Sequence, residues 1–254
     1  MIGMFDLTGR MAIVTGGNGG IGKGMAVALA QAGASVVVVG RNEAKTAEAV
    51  AEIEGLGAKA IGVRADVGQR ADATRMVEEA LRAFGRVDIL VNNACINRRA
   101  PPEEFTQEMW DEVIRTNLTS AFLCSQAVFP AMKKEGGGKI INVGSMTSIF
   151  GAGIAVAYSS SKGGVVQLTK SLAVGWAKHN IQVNAVLPGW IVTDMTNEFK
   201  EYNPAQYDFV TKRIPAGRWG QPSDVGGAAV FLASRASDYV TGAVLAVDGG
   251  YSSF

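Results

Sequence analysis

Tyr158 and Lys162 stand four residues apart in the segment Ala157-Tyr158-Ser159-Ser160-Ser161-Lys162-Gly163, and a helix stacks side chains at that spacing on one face. A free phenol has a pKa of about 10, which makes it a poor proton shuttle at neutral pH; an ammonium held beside it stabilises the phenolate and lowers that value. The pair is a candidate general acid and base. Tyr-x-x-x-Lys also occurs on solvated helix faces, so the chemistry depends on what else the chain brings to the same place.

The elements that must do so are legible from the N-terminus onward. Residues 11–14 are an apolar run that breaks into Thr15-Gly16-Gly17-Asn18-Gly19-Gly20-Ile21-Gly22, then an alanine-rich amphipathic segment to Ala32, then a second apolar run over 35–39. This order reads as strand, glycine turn, helix and strand. Glycines let the backbone approach a pyrophosphate and let the helix pack closely on the strand, while the exposed amides of a helix N-terminus attract the anion. Strand-like runs recur at 59–63, 87–91, 139–143, 181–187 and 243–247, with helical spacing at 71–84, 111–133, 161–179 and 223–233. The alternation predicts a parallel sheet with helices on both faces, joined by right-handed crossovers. Gly136-Gly137-Gly138 reads as a loop, and with no repeat or linker the chain is expected to be one domain over 1–254. In such sheets ligands bind beyond the carboxyl ends of the strands. Asn93, Ser145 and Pro188-Gly189 each follow a strand-like run, and Tyr158 enters from the next helix.

The chain has 254 residues, 48% of them hydrophobic, enough for a sizeable single core. A net charge of +1 from interspersed charges provides neither a basic field for nucleic acid nor a polybasic membrane patch. No apolar run approaches a membrane span and the opening residues lack the regions of a signal peptide, so a cytoplasmic protein is expected. Cys95 and Cys124 are the only cysteines and His179 the only histidine. No zinc-type cluster can be assembled from them, and metal-dependent hydride transfer is not expected.

The spacing Thr-Gly-x-x-x-Gly-x-Gly, Asn92-Asn93-Ala94, Asn117, Ser145, Tyr158 and Lys162 in this order, continued by Pro188-Gly189 and Val247-Asp248-Gly249-Gly250, resembles the short-chain dehydrogenase/reductase family along the whole chain. The resemblance implies a Rossmann-type α/β fold, doubly wound, with a seven-stranded parallel sheet. It implies that Tyr158 gives a proton to a carbonyl oxygen during reduction and takes it back during oxidation, while hydride moves to or from nicotinamide C4. Ser145 would hold the oxygen, Lys162 would lower the phenol pKa and bond the nicotinamide ribose, and Asn117 would hold a water linking Lys162 to solvent. Asn117 also reads as a solvent-facing or locally bonded asparagine within a long helix. The cofactor set implied is Gly16, Asn18, Gly20, Ile21, Gly22, Arg41, Asp66, Val67, Asn93, Ala94, Tyr158, Lys162, Pro188, Gly189, Ile191 and Thr193. One departure stands out: Cys95 falls where the family usually has glycine, and its side chain would project toward the cofactor or the substrate cavity.

Gly40 holds the position where NAD-preferring dehydrogenases commonly place a carboxylate for the ribose 2'-hydroxyl, and Arg41, next in sequence, could pair bidentately with a 2'-phosphate. NADP(H) is favoured and NAD(H) stays open. Arg41 also reads as a solvated loop residue near Glu43, and Asn18 and Gly19 stand where NADP-dependent relatives often carry a second basic residue. Asp66 looks like the family carboxylate that bonds the adenine amino group, or else a cap for the helix after Gly68. Residues 190–217 resemble the family's substrate lid. The segments 179–184, 213–220 and 237–240 look most like the sugar-acid branch, the gluconate dehydrogenases. Arg98 or Arg99 could grip a substrate carboxylate, or both could be solvated. The leading expectation is a nicotinamide-dependent oxidoreductase interconverting a secondary alcohol and a ketone; the alternatives are a 3-oxoacyl-thioester reductase and a non-catalytic nucleotide-binding regulator. The resemblance further implies a homotetramer, with Ala121, Phe122, Val165, Val166, Leu172, Tyr251 and Phe254 as candidates for burial between subunits.

Overall fold

The computed structural model describes residues 3–194, 196 and 203–253. Its elements run β1 (Met11–Thr15), α1 (Gly20–Gln31), β2 (Ser35–Gly40), α2 (Glu43–Gly55), β3 (Ala60–Arg64), α3 (Arg70–Phe84), β4 (Ile89–Asn92), α4 (Gln107–Ile114), α5 (Ser120–Lys134), β5 (Gly138–Val143), α6 (Val156–Trp176), β6 (Ile181–Pro188), α7 (Pro204–Lys212), α8 (Pro222–Ala233) and β7 (Val244–Val247). The seven strands form one sheet in the order β3-β2-β1-β4-β5-β6-β7. Every neighbouring pair is parallel.

A parallel sheet covered on both faces needs strands that are apolar on both sides, and these are. All five residues of β1 are buried. Successive β2 side chains alternate between two cores: Val36 and Val38 pack with Met25 and Leu29 of α1 and Val225 and Leu232 of α8, whereas Val37 and Val39 pack with Met76 of α3 and Val128 and Met132 of α5. Cys124 belongs to the second core, where burial pushes its thiol up to about 12 and leaves it inert. Strand order reverses between β1 and β4, and that crevice is where such sheets take their ligands. Among the described residues no helix is long and apolar enough to cross a membrane.

Three elements differ from the sequence expectation. Helix α2 is not announced by apolar spacing because only Thr46, Ala49 and Ile53 of its thirteen residues are buried. The pattern read as one helix over 111–133 is α4 and α5 joined by a π-helical turn, Arg115–Thr119, which carries Asn117. Helix α6 begins at Val156 and not at residue 161, so Tyr158 lies in its first turn, on the same helix as Lys162.

Candidate active site

The glycine turn between β1 and α1 is braced by the segment after β4. Thr15 Oγ1 accepts the amides of Asn93 and Ala94 at 3.0 and 3.1 Å and donates to the Val91 carbonyl. Asn93 Nδ2 donates to the carbonyls of Thr15 and Gly16 at 3.0 and 3.1 Å. The Asn93 side chain therefore shapes the turn. Gly16 sits at φ 61°, in the left-handed region. A Cβ on Gly22 would collide with the Gly16 carbonyl and with Asn93, so the helix can approach this closely only through glycine. Gly19 caps α1 with no side-chain bond, which leaves the first amides of the helix facing an open cradle. That cradle suits a pyrophosphate. Ile21 follows directly at the start of α1, and a Cβ on Gly20 would lie 3.1 Å from the Thr193 methyl, so the loop after β6 runs over the cradle. Ile191 is held there by pairing with Gly220, and the Gly189 amide is bonded to the Val247 carbonyl. Pro188 ends β6 on this rim.

On the adenosine side, Asn18 Nδ2 donates to Thr46 Oγ1 at 3.0 Å and to the Asn42 carbonyl at 3.4 Å. A Cβ on Gly40 would run into the Asn18 side chain. No carboxylate can be carried at position 40 without displacing Asn18. Arg41 makes no ion pair among the described residues, and the Glu43 expected beside it pairs with Arg64 at 3.1 Å. Asp66 is not itself the cap of α3. Its carboxylate accepts the Gly68 amide at 3.1 Å and pairs with Arg115 of the π-helical turn at 2.9 Å, while Gln69 takes the cap position of α3. Burial works to raise its pKa, but the Arg115 and Gly68 bonds and the charges of Arg115 and Arg41 outweigh it and hold the carboxyl below its usual value. Val67 is buried in the core, and Ala94 packs against the same cluster.

The proton-handling residues gather at the ends of β4 and β5. Ser145 caps a short turn, Met146–Ser148, and its Oγ accepts the Thr147 amide at 3.2 Å. Ser148 ties this turn to α6 by donating to the Lys162 carbonyl at 2.9 Å. The phenol of Tyr158 has the Ser145 hydroxyl as its hydrogen-bonding partner. Lys162 is buried, and its Nζ donates to the Val143 carbonyl at 2.6 Å while standing 5.6 Å from the Tyr158 ring centre. The expected depression of the phenol pKa is thus not what this geometry gives: the ammonium is committed to a carbonyl, and burial pushes Tyr158 above its ordinary value, assisted by Cys95 and opposed by the Ser145 bond and the Arg99 charge. Asn117 is bonded on both sides of its amide. Its Oδ1 accepts the Ile96 amide at 2.8 Å, and its Nδ2 donates to the Ile96 carbonyl and to Ser161 Oγ at 2.9 and 3.1 Å. The side chain staples the Cys95 loop to α6, and Oδ1 keeps one acceptor site of its two.

Cys95, the substituted family position, and Arg99, one arginine of the pair, both lie within electrostatic range of the Tyr158 phenol. The other is committed elsewhere. Arg98 forms a two-point ion pair with Glu112 of α4, both bonds 2.9 Å, whereas Arg99 has no ion-pair partner among the described residues. Along the lid, Trp219 packs on Trp190 and Tyr207 with ring centres 5.1 and 4.5 Å apart. Residues 195 and 197–202 of the expected lid lie outside the described residues. Thr15 and Ser148 went unassigned in the sequence because their work is bonding to backbone, which leaves no trace in residue type.

Comparisons with known proteins agree along the length of the chain. A family model described as "Enoyl-(Acyl carrier protein) reductase" matches residues 16–252. The 2-dehydro-3-deoxy-D-gluconate 5-dehydrogenase of Dickeya dadantii is 44% identical over 252 residues, covering 99% of this chain and 98% of that protein. The gluconate 5-dehydrogenase of Gluconobacter oxydans is 42% identical over 97% of this chain and 96% of its own. A crystal structure of a gluconate 5-dehydrogenase from Burkholderia cenocepacia, in complex with NADP and tartrate, superposes with a TM-score of 0.94 at 40% identity, covering 100% of this chain and 99% of that one.

Proposed function

The chain belongs to the short-chain dehydrogenase/reductase family of nicotinamide-dependent oxidoreductases, and from that premise we propose that it interconverts the hydroxyl and keto forms of a sugar acid with NADP(H). The observation that carries the substrate class is Arg99, whose charge acts on the candidate acid and which has no ion-pair partner among the described residues, while its neighbour is bound to Glu112. Such a group pairs with a carboxylate at two points and fixes its distance from the phenol. The relatives named gluconate dehydrogenases act in the same direction. For the cofactor, the support is Gly40 filled over by Asn18, Arg41 free of Glu43, and the NADP in the Burkholderia cenocepacia complex.

When bound, the nicotinamide supplies or accepts the hydride. The chain's own residues handle the proton and the geometry. Tyr158 donates its hydroxyl proton to the carbonyl oxygen, and Ser145, already its partner, holds that oxygen in line. A phenol raised above its ordinary value stays protonated but releases its proton less readily, so transfer in either direction rests on what stabilises the phenolate. The Ser145 hydroxyl and the Arg99 charge do so. Asn117 acts by holding the Ile96 segment, and with it the Cys95 loop, against α6. The cradle of Gly16, Gly20, Ile21 and Gly22 takes the pyrophosphate, Asp66 the adenine, and the 188–193 loop covers the nicotinamide half. The same reading includes one domain over 1–254 with a lid around 190–217, a homotetramer and a cytoplasmic location.

The test is a panel of sugar acids, the polyols of matching length and 3-oxoacyl thioesters, each assayed with NADP(H) and NAD(H). The proposal expects kcat/KM to be highest for a sugar acid with NADP(H). A polyol used as well as its acid overturns the substrate class, and a preference for thioesters replaces it.

A further inference from the structure

Lys45, in the first turn of α2, is bound to Asp194 of the loop after β6 across 149 residues of sequence, with Nζ 2.9 Å from the carboxylate. Two contacts locate this pair. Asn18 of the glycine turn bonds Asn42 and Thr46, on either side of Lys45 in sequence, so the first turn of α2 is docked on the cradle. Asp194 follows Thr193, whose methyl lies over Gly20 at the start of α1. The ammonium is therefore stationed between the end of β2, where a ribose 2'-substituent belongs, and the mouth of the phosphate cradle. The charge of Lys23, in the first turn of α1, reaches Asp194 as well.

The pair is exposed, 55% and 81% for the two side chains, and an ion pair in such a setting contributes little net stability. A carboxylate held this loosely gives way to a stronger anion. A 2'-phosphate carries up to two charges and three acceptor oxygens, more than Arg41 alone can match, and Arg41 and Lys45 flank the same turn. We propose that Lys45 is a second cation for the 2'-phosphate of NADP(H), with Asp194 as its resting partner, so that binding exchanges the carboxylate for the phosphate. This assignment rests on the NADP(H) reading above.

The two residues make opposite predictions, read from dissociation constants of NADPH and NADH by the fluorescence of the bound nicotinamide, without substrate. Lys45→Met weakens NADPH by about tenfold, the loss of one charge-assisted contact, and NADH by less than about twofold. Asp194→Asn tightens NADPH by about two- to fivefold, because the ammonium no longer has to leave a carboxylate, and leaves NADH unchanged. In the double variant the gain from Asp194→Asn disappears. Equal weakening of both coenzymes by Lys45→Met, or NADPH unchanged or weakened in Asp194→Asn, overturns the assignment. A wild type with no preference for NADPH overturns the cofactor reading and this assignment with it, whereas a preference undiminished in Lys45→Met overturns the assignment alone.

Discussion

Arg98 and Arg99 are adjacent, identical in chemistry and different in use. Arg98 braces the Cys95 loop on α4 through Glu112, and Arg99 acts on the phenol through its charge. Replacing Arg99 by Ala should raise KM for a sugar acid by about tenfold or more, the loss of a two-point charge-assisted contact, with a smaller change in kcat. Arg98→Ala should leave KM within about threefold, since its partner is a surface glutamate. Steady-state kinetics of the two variants separate them; reversed effects would move the substrate carboxylate to the other arginine. Arg41→Ala should weaken NADPH by about 1.5 to 3 kcal/mol and NADH far less, and equal losses in a binding titration would return Arg41 to the solvated loop. At this scale the sequence identified the candidate set by type and spacing. It could not say which arginine was free, or that Lys162 would donate to the Val143 carbonyl, because partners distant in sequence decide both.

The strands were legible because each is a short apolar run in a sheet covered on both faces. Helix α2 was not, since most of its residues face solvent. The π-helical turn was hidden for another reason: apolar spacing continues through it from α4 into α5, and what breaks the regular helix is the docking of Asn117 on Ile96 and Ser161. The glycine turn was read correctly from its residues, and its tolerance can be measured. Gly22→Ala forces a methyl into the Gly16 carbonyl and Asn93, and a displacement of that kind costs about 1 to 3 kcal/mol. The expected outcome is a lower Tm together with weaker binding of both coenzymes, since the pyrophosphate cradle is common to the two. A variant with normal coenzyme binding would mean that the turn is not the phosphate site.

Across the whole molecule, the end of the sheet opposite the cleft is pinned by Asp88. It is 3% exposed and accepts bonds from Arg86, from Arg10 and from the Met11 amide. Burial raises its pKa, but these bonds together outweigh it and leave the carboxyl below 3.8. A depressed acid stabilises the fold above its unfolded pKa and loses that contribution as pH falls through the folded value. Tm should therefore drop as pH is lowered below about 4, and Asp88→Asn should be less stable by about 1 to 3 kcal/mol at neutral pH with a flatter acid limb. An unchanged acid limb in that variant would remove Asp88 from the account. Of the residues the sequence suggested for assembly, Phe122 stays exposed, while others are used within the chain. Tyr251 packs on Phe150 and stacks under Arg213 within its own chain, Ala121 and Val165 are buried, and Phe254 lies outside the described residues. Phe122, Trp110, Val174, Tyr239 and Val244 remain as exposed apolar side chains. Light scattering at micromolar concentration should give the mass of four chains; the mass of one would leave those side chains in water.

The claim on which the rest depends is that Tyr158 moves the proton. Tyr158→Phe removes the hydroxyl and keeps the ring, so coenzyme binding should stay within about twofold while turnover of the best sugar acid falls by about a hundredfold or more, the contribution of a positioned general acid. Turnover and coenzyme dissociation constant measured on the same preparation give the answer. A large loss of turnover with binding intact is the result expected, and near-normal turnover would contradict the assignment of this site.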